Sequence, residues 1–275
     1  MKLKKLKVPK TKNKVALVSV AHADDVLLFC GGAVITLIQA GWKVTVVRAT
    51  NDRWDSFELD ESATIAANAE EFNAAMKSIG VSKVIDLNLD TDRLGDFSEV
   101  TLRSKYIDLM RDVKPYLVIT FDPDSYLYED NEDHRKVAVC MAEAMWTSGF
   151  DKHPGEKPGN IQPFLPVVRW YFGREVAMPT HILDITSHTD PLVAATSLHK
   201  TMIINMARQW WLKGKTAGIS LDDFFTKVTK DVSFFSSMIV TQSRKKKSKS
   251  KKFFEIYRVI DDINVVTALS KLEEK

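Results

Sequence analysis

Cysteine is scarce in this chain of 275 residues, which contains only Cys30 and Cys140. Two cysteines so far apart do not form the disulfide framework that is typical of small secreted domains. We therefore expect both thiols to be buried and reduced, as they are in cytoplasmic proteins. The sequence also shows no internal repeat, which excludes the solenoid and propeller classes.

Long apolar runs are absent as well. No window approaches the roughly 18 apolar residues that a membrane-spanning helix needs, and no apolar stretch follows the lysines at the start of the chain. We predict no membrane span and a cytoplasmic protein. With 45% hydrophobic residues the chain can bury a large core. We predict a basic segment at residues 1–13 and one domain at residues 14–275.

Net charge is low too, at +3. The basic residues are concentrated near the N-terminus and in a run at residues 244–252. Such a run attracts phosphate-bearing surfaces and polymers, but it is more often a solvated loop between strands. We favour the solvated loop and expect no nucleic-acid partner. The sequence does not indicate an oligomeric state.

Apolar runs rich in β-branched residues alternate along the chain with stretches of helical periodicity. This order predicts βαβ units and therefore an α/β, Rossmann-like fold. We expect a mostly parallel sheet flanked by helices, in a single domain with a C-terminal extension. The predicted strands cover residues 14–21, 43–49, 83–87, 116–121, 167–172, 180–185 and 253–260. The predicted helices cover residues 65–79, 100–113, 134–147 and 190–212.

Titratable side chains follow two of the predicted strands. His22, Asp24 and Asp25 lie within one turn after the first strand, and His134 starts a helix after the fourth. In an open parallel sheet, groups beyond the carboxyl ends of the strands meet at one edge. Catalytic zinc usually takes three ligands from His, Asp and Glu and keeps a fourth position for water. We therefore predict a zinc site formed by His22, Asp25 and His134.

Asp24 remains outside this ligand set, and we predict that it acts as a general base. Two other interpretations stay open. An Asp-Asp pair after a strand is often only a helix N-cap with a surface charge. The glycine pair at Gly31 and Gly32 is also typical of phosphate-binding turns, which would indicate a nucleotide-binding protein, although the G-x-G-x-x-G and P-loop patterns are absent.

The residues His22-Ala-Asp-Asp25, followed by the glycine pair, resemble the first motif of the PIG-L (LmbE-like) zinc-dependent deacetylases. Asp133-His134 at a helix start resembles the second motif of that family. The resemblance extends over about residues 14–260. It implies a zinc-dependent hydrolase that removes the acetyl group from N-acetylglucosamine units of a small molecule or glycoconjugate.

Site residues follow from this resemblance. It implies that His22, Asp25 and His134 bind zinc, for which another divalent transition metal is a possible substitute, and that Asp24 is the general base. Asp92 matches an acidic position that faces the sugar in the family. Arg53 lies in a loop that we also expect to reach the sugar.

Three residues depart from the family motifs. Ala23 replaces a proline and Val26 replaces a glutamate, which we expect to loosen the turn without removing a metal ligand. Asn131 stands where the second motif begins with histidine, a residue that stabilises the oxyanion and helps to protonate the leaving amine. An asparagine amide can donate a hydrogen bond to an oxyanion but cannot deliver a proton.

We therefore expect Asn131 to stabilise the oxyanion and Asp24 to shuttle the proton. Two alternatives remain. The first alternative is a carbohydrate-binding protein on a deacetylase scaffold, with catalysis weakened by Asn131. The same scaffold could also hydrolyse a different amide.

Overall fold

The computed structural model describes residues 2–242 and 252–271, and within these ranges the chain forms eight strands, nine α-helices and three short helical segments at Val26–Cys30, Pro123–Tyr128 and Thr186–His188. The strands are β1 (Lys4–Lys5), β2 (Val15–Val20), β3 (Lys43–Thr50), β4 (Lys83–Leu89), β5 (Leu117–Phe121), β6 (Val168–Phe172), β7 (His181–Asp184) and β8 (Phe254–Asp261). The helices are α1 (Gly31–Gln39), α2 (Glu61–Ser78), α3 (Glu99–Val113), α4 (Glu132–Thr147), α5 (Thr189–Thr196), α6 (Lys200–Thr216), α7 (Asp222–Lys230), α8 (Ser233–Gln242) and α9 (Ile263–Ser270).

The eight strands form one sheet in the order β1-β7-β8-β6-β5-β2-β3-β4. Neighbouring strands pair in parallel, except that β8 runs antiparallel to both β6 and β7. The predicted α/β fold, a mostly parallel Rossmann-like sheet flanked by helices, is confirmed. The basic N-terminal segment contributes β1, which pairs in parallel with β7 at one edge of the sheet.

The central strands are buried on both faces, as their composition requires. Nearly every residue of β2 and β5 is buried and most of them are apolar, which is typical of parallel strands covered by helices on both sides. The register places Val18 opposite both Val46 and Ile119. In β4, at the other edge, exposed and half-buried residues alternate along much of the strand.

Strands that follow β2 in the chain lie on both sides of it in the sheet. From β2 the chain passes through α1 to β3 on one side, while β5, on the other side, comes later in the chain. The gap beyond the carboxyl ends of β2 and β5 is therefore the topological switch point, where α/β sheets bind ligands. Both predicted motifs follow these two strands.

One predicted helix is wrong. The single helix expected at residues 190–212 is two helices, α5 and α6, separated at residues 197–199. The backbone N–H and the hydroxyl of Thr201, in the first turn of α6, donate to the carboxylate of Glu71 in α2. This acceptor comes from a distant helix, and no glycine or proline marks the break. Helical periodicity alone therefore predicted one continuous helix.

Several predictions concern the surface and the thiols. Cys30 and Cys140 are both buried, and neither is part of a disulfide bond, as expected. None of the helices in the described ranges is long and apolar enough to cross a membrane. The basic run lies outside the described residues except for Lys252, whose Nζ lies 3.3 Å from the carboxylate of Asp184.

Candidate metal centre

The turn after β2 is held by the side chain of Asp25. Its Oδ2 accepts the backbone N–H groups of Ala21 and His22, at 3.1 and 2.7 Å. The carboxylate is buried, and its Oδ1 lies 3.2 Å from Nε2 of His134. The local turn thus fixes one oxygen of Asp25 and directs the other towards the second motif.

His22, Asp25 and His134 come together in one buried cluster, as predicted. Nδ1 of His22 lies 3.1 Å from Nε2 of His134 and 3.6 Å from Oδ2 of Asp25. One ligand atom from each residue lies within 4.8 Å of the others. In tetrahedral zinc sites with Zn–N distances of about 2.0–2.1 Å, ligand atoms are separated by about 3.3 Å. The donor set therefore fits a divalent metal ion.

The electrostatics of the cluster also favour a cation. Burial opposes a charged ring, but hydrogen bonds with Asp133 and Asp25 outweigh it and raise the pKa of His22 well above its ordinary value. Burial likewise opposes the ionised form of Asp25, yet His134 and His22 hold the pKa of that carboxyl well below its ordinary range. A site that stabilises positive charge on its imidazoles stabilises a metal ion for the same reason.

Asp24 is the neighbour of Asp25 in the turn after β2. It is buried but lies outside the cluster. Burial and the neighbouring charge of Asp25 raise the pKa of Asp24 to about 7. A carboxylate with this pKa can accept and release a proton near neutral pH, which is what a general base requires.

Asn131 caps the helix that carries His134. Its side-chain oxygen accepts the backbone N–H of His134 at 3.3 Å, at the start of α4. The amide nitrogen of the same side chain makes no hydrogen bond to the described part of the chain. Asn131 is half-buried, so this donor remains available at the edge of the cluster.

Ala23 makes a bond that the proline of the family motif would not make. Its backbone N–H donates to Oδ2 of Asp52, at 3.2 Å. The same oxygen accepts from Arg48, at 2.7 Å, and both of these charged side chains are fully buried. Proline has no N–H, so this hydrogen bond to the loop after β3 could not form with proline at this position. The expectation that Ala23 loosens the turn stays a prediction.

Asp133 belongs to the second motif, and the structure assigns it a contact that the sequence does not predict. Its Oδ2 lies 3.3 Å from Nε2 of His22 and accepts the backbone N–H of Asp92 at 2.7 Å. Its Oδ1 accepts the N–H of Leu94 at 3.1 Å. A carboxylate on the far nitrogen of a metal-binding imidazole fixes the tautomer and orientation of the ring. Asp133 thus presents Nδ1 of His22 to the cluster.

The two predicted sugar contacts lie at the rim. Arg53 forms ion pairs with Asp90 and Glu61, at 2.7 and 2.8 Å, and its guanidinium lies 5.0 Å from the ring centre of Trp54. Asp92 approaches the site through its backbone, in a left-handed conformation with φ 57°, while its side chain is exposed. Neither side chain joins the metal cluster.

The glycine pair serves close packing and a helix cap. A Cβ atom on Gly32 would lie 2.3 Å from Cγ2 of Ile185. The backbone N–H groups of Gly32 and Ala33 donate to the carboxylate of Glu255, at 2.8 and 2.9 Å. These two donors at the start of α1 are therefore already occupied by a protein anion, which argues against the interpretation as a phosphate-binding turn.

Aromatic rings close the site on one side. The ring of His134 stacks on Phe121, at 4.1 Å between centroids, and meets the edge of Phe29 at 5.9 Å. Phe29 also lines a cavity of about 690 Å³, together with Phe172 and Arg174. The remaining cavity wall is mostly apolar. The metal cluster and this cavity thus share an aromatic wall.

Solved structures confirm the fold. The N,N'-diacetylchitobiose deacetylase of Pyrococcus horikoshii is 19% identical, with a TM-score of 0.68 over 92% of this chain and 86% of that one. A deacetylase of the antimicrobial reagent A40926 pseudoaglycone is 14% identical, with a TM-score of 0.56 over 91% and 98%. The 4-carboxy-2-hydroxymuconate hydratase of Pseudomonas putida is 23% identical, with a TM-score of 0.53 over 74% and 88%.

Because a hydratase shares this fold with deacetylases, the fold alone does not define the reaction. A family model provides the more specific comparison. Residues 17–145 match the model described as PIG-L, GlcNAc-PI de-N-acetylase, and this range includes all three residues of the candidate metal cluster. The chain therefore carries a domain of the PIG-L family over residues 17–145.

Proposed function

We propose that this protein is a cytoplasmic, zinc-dependent N-deacetylase that removes the acetyl group from an N-acetylated amino sugar of the N-acetylglucosamine type. The observation that carries this proposal is the buried cluster of His22, Asp25 and His134, with Asp24 beside it but outside the ligand set. This is the arrangement that a metal-dependent amide hydrolase needs: three ligands and one separate proton acceptor.

Each residue then has a defined part in the reaction. When bound, a divalent metal ion would supply a water of lowered pKa and would polarise the acetyl carbonyl. Asp24 accepts the proton of the attacking water and returns it to the departing amine nitrogen. The free amide N–H of Asn131 donates a hydrogen bond to the developing oxyanion.

The substrate is an amino-sugar-containing small molecule or glycoconjugate. We assign Asp92 and Arg53 to sugar binding, since both lie on the loops that follow β3 and β4 at the edge of the site. Because Arg53 is already paired with Asp90 and Glu61, it acts through a fixed guanidinium rather than a mobile one. In this proposal the sugar binds near the rim, with its acetamido group directed inward.

Asp24→Asn tests the proposal. This change keeps the shape of the side chain and removes its basicity, so acetate release from a panel of N-acetylhexosamine conjugates should fall at least about 100-fold. Zinc content, measured by elemental analysis, should stay the same. Chelation should abolish the activity of the wild-type protein, and added zinc should restore it.

Asp96→Asn is the matched control, because the Asp96 side chain is 90% exposed and lies outside the cluster. Full activity of the Asp24→Asn variant would show that the base is assigned incorrectly. Stoichiometric zinc in the wild-type protein, with no acetate released from any conjugate, would favour the carbohydrate-binding alternative.

A further inference from the structure

One ring nitrogen of His134 needs an acceptor. If Nε2 faces the metal, Nδ1 must carry the proton of the neutral ring. This Nδ1 is buried and makes no well-aligned hydrogen bond within the described ranges. Phe121 and Phe29, which pack against the ring, offer no acceptor. The polar group beside Nδ1 is the carboxylate of Glu129, whose Oε1 lies 3.3 Å away.

Glu129 is itself held in place. Its carboxylate is buried, and Oε1 accepts the side-chain Nε of Arg174 at 2.9 Å and the backbone N–H of Asn131 at 3.1 Å. Its Oε2 has no hydrogen-bond partner within the described residues. A buried carboxylate oxygen and a buried ring nitrogen, both unpaired, therefore belong to neighbouring side chains.

Arg174 connects this pair to the outside of the molecule. It follows β6, its side chain is 49% exposed, and it lines the cavity of about 690 Å³. Its Nε also lies 3.2 Å from the exposed carboxylate of Asp130. Arg174 is thus the one of these groups that solvent and a bound ligand can both reach.

We propose that Glu129 is a positioning residue for His134: its carboxylate accepts the Nδ1 proton and so directs Nε2 to the metal, while Arg174 holds Glu129 in that place. This inference rests on the metal-dependent function proposed above and adds to it a chain of contacts from Arg174 through Glu129 to His134. It also makes the affinity for the metal sensitive to a residue on the cavity wall.

Zinc affinity of the full-length protein tests this proposal without an activity assay. Competition with a chromophoric chelator should show zinc bound about 10–100-fold more weakly by Glu129→Gln than by the wild-type protein, the usual effect of losing such a partner of a metal ligand. The absorption bands of bound Co²⁺ should shift, because they report the ligand geometry. Arg174→Met should weaken binding by a smaller factor, about 3–10-fold.

The double variant separates positioning from a general loss of structure. Arg174 acts only through Glu129, so Glu129→Gln/Arg174→Met should bind zinc no more weakly than Glu129→Gln alone. Arg169→Met is the matched control, since Arg169 lies on β6 and pairs with Asp262 away from the site. It should leave both readouts unchanged.

The positioning role would be overturned if Glu129→Gln bound zinc within twofold of the wild-type affinity and its Co²⁺ absorption bands were unchanged. If the losses of zinc affinity in the two single variants added up in the double variant, Arg174 would not act through Glu129. A wild-type protein that binds no zinc would overturn the proposed function itself, which is a different result from either of these.

Discussion

The two halves of the metal centre are supported in different ways. The first half, residues 22–25, is a single buried turn in which the backbone binds the ligand carboxylate, and Asp133 holds His22 from a fully buried position. In the second half, residues 129–134, His134 depends on Glu129, which is held by an arginine that is 49% exposed. The first half is held only by buried groups, whereas the second half is linked to the surface through Arg174.

This difference separates two tasks within one site. Salt screens buried contacts to backbone N–H groups much less than it screens exposed charges, so the first half provides the more constant part of the candidate metal centre. The second half carries Asn131, which stands where the family motif has histidine, and it contacts Phe29 and Arg174, which line the cavity.

Replacement of Asp24, in the first half, should have the largest effect, and it should act on the stability of the metal-free protein. The pKa of Asp24 is raised from 3.8 to about 7, so the folded protein holds this proton more tightly than the unfolded chain does. Between about pH 4 and 7 the metal-free protein should therefore lose stability as the pH rises. Asp24→Asn avoids this loss and should be more stable than the wild type at pH 7.5, by about 1–4 kcal/mol, but not at pH 4.

Urea unfolding of both metal-free proteins at these two pH values measures the difference. Asp25→Asn should change stability in the opposite direction. The pKa of Asp25 is lowered in the folded state, so the ionised carboxylate stabilises the fold. That variant should be less stable than the wild type at pH 7.5. If both variants change stability in the same direction at pH 7.5, the pKa values of Asp24 and Asp25 are not shifted in opposite directions.

In the second half, Asn131→Asp should slow the reaction without destabilising the protein. Aspartate caps a helix as well as asparagine does, but it lacks the amide donor. Acetate release should fall about 100-fold, the usual effect of losing one oxyanion donor. Thermal unfolding should be almost unchanged, whereas Asn131→Ala should lose about 1 kcal/mol of stability along with the activity. A normal rate in Asn131→Asp would exclude the amide as a donor.

Asp133→Asn should weaken the contact between the two halves. The neutral side chain is a poorer acceptor for Nε2 of His22, so we expect zinc affinity to fall by about 10-fold or more. Titration with a competing chelator measures this affinity, and exposed Asp190→Asn serves as the control. If the buried support of the first half is the stronger one, Asp133→Asn should weaken zinc binding more than Arg174→Met does.

The sequence was most informative where the determinants are local. The alternation of apolar runs and helical stretches predicted the parallel sheet, and the polar residues after the first and fourth predicted strands predicted the ligand cluster. Both depend on short-range patterns: side-chain periodicity, and the meeting of strand ends at one edge of a sheet. The order of the elements was therefore sufficient to bring His22 and His134 together.

Contacts between distant residues were decided only by the tertiary structure. Asp133 reaches His22 across 111 residues, Arg174 reaches Glu129 across 45, and the N–H of Ala23 finds Asp52 across 29. No periodicity or motif encodes such pairs, because each depends on the packing of separate elements and on the burial that makes an unpaired polar group costly. The sequence by itself determined which residues form the candidate metal cluster, and the folded chain decided what holds them in place.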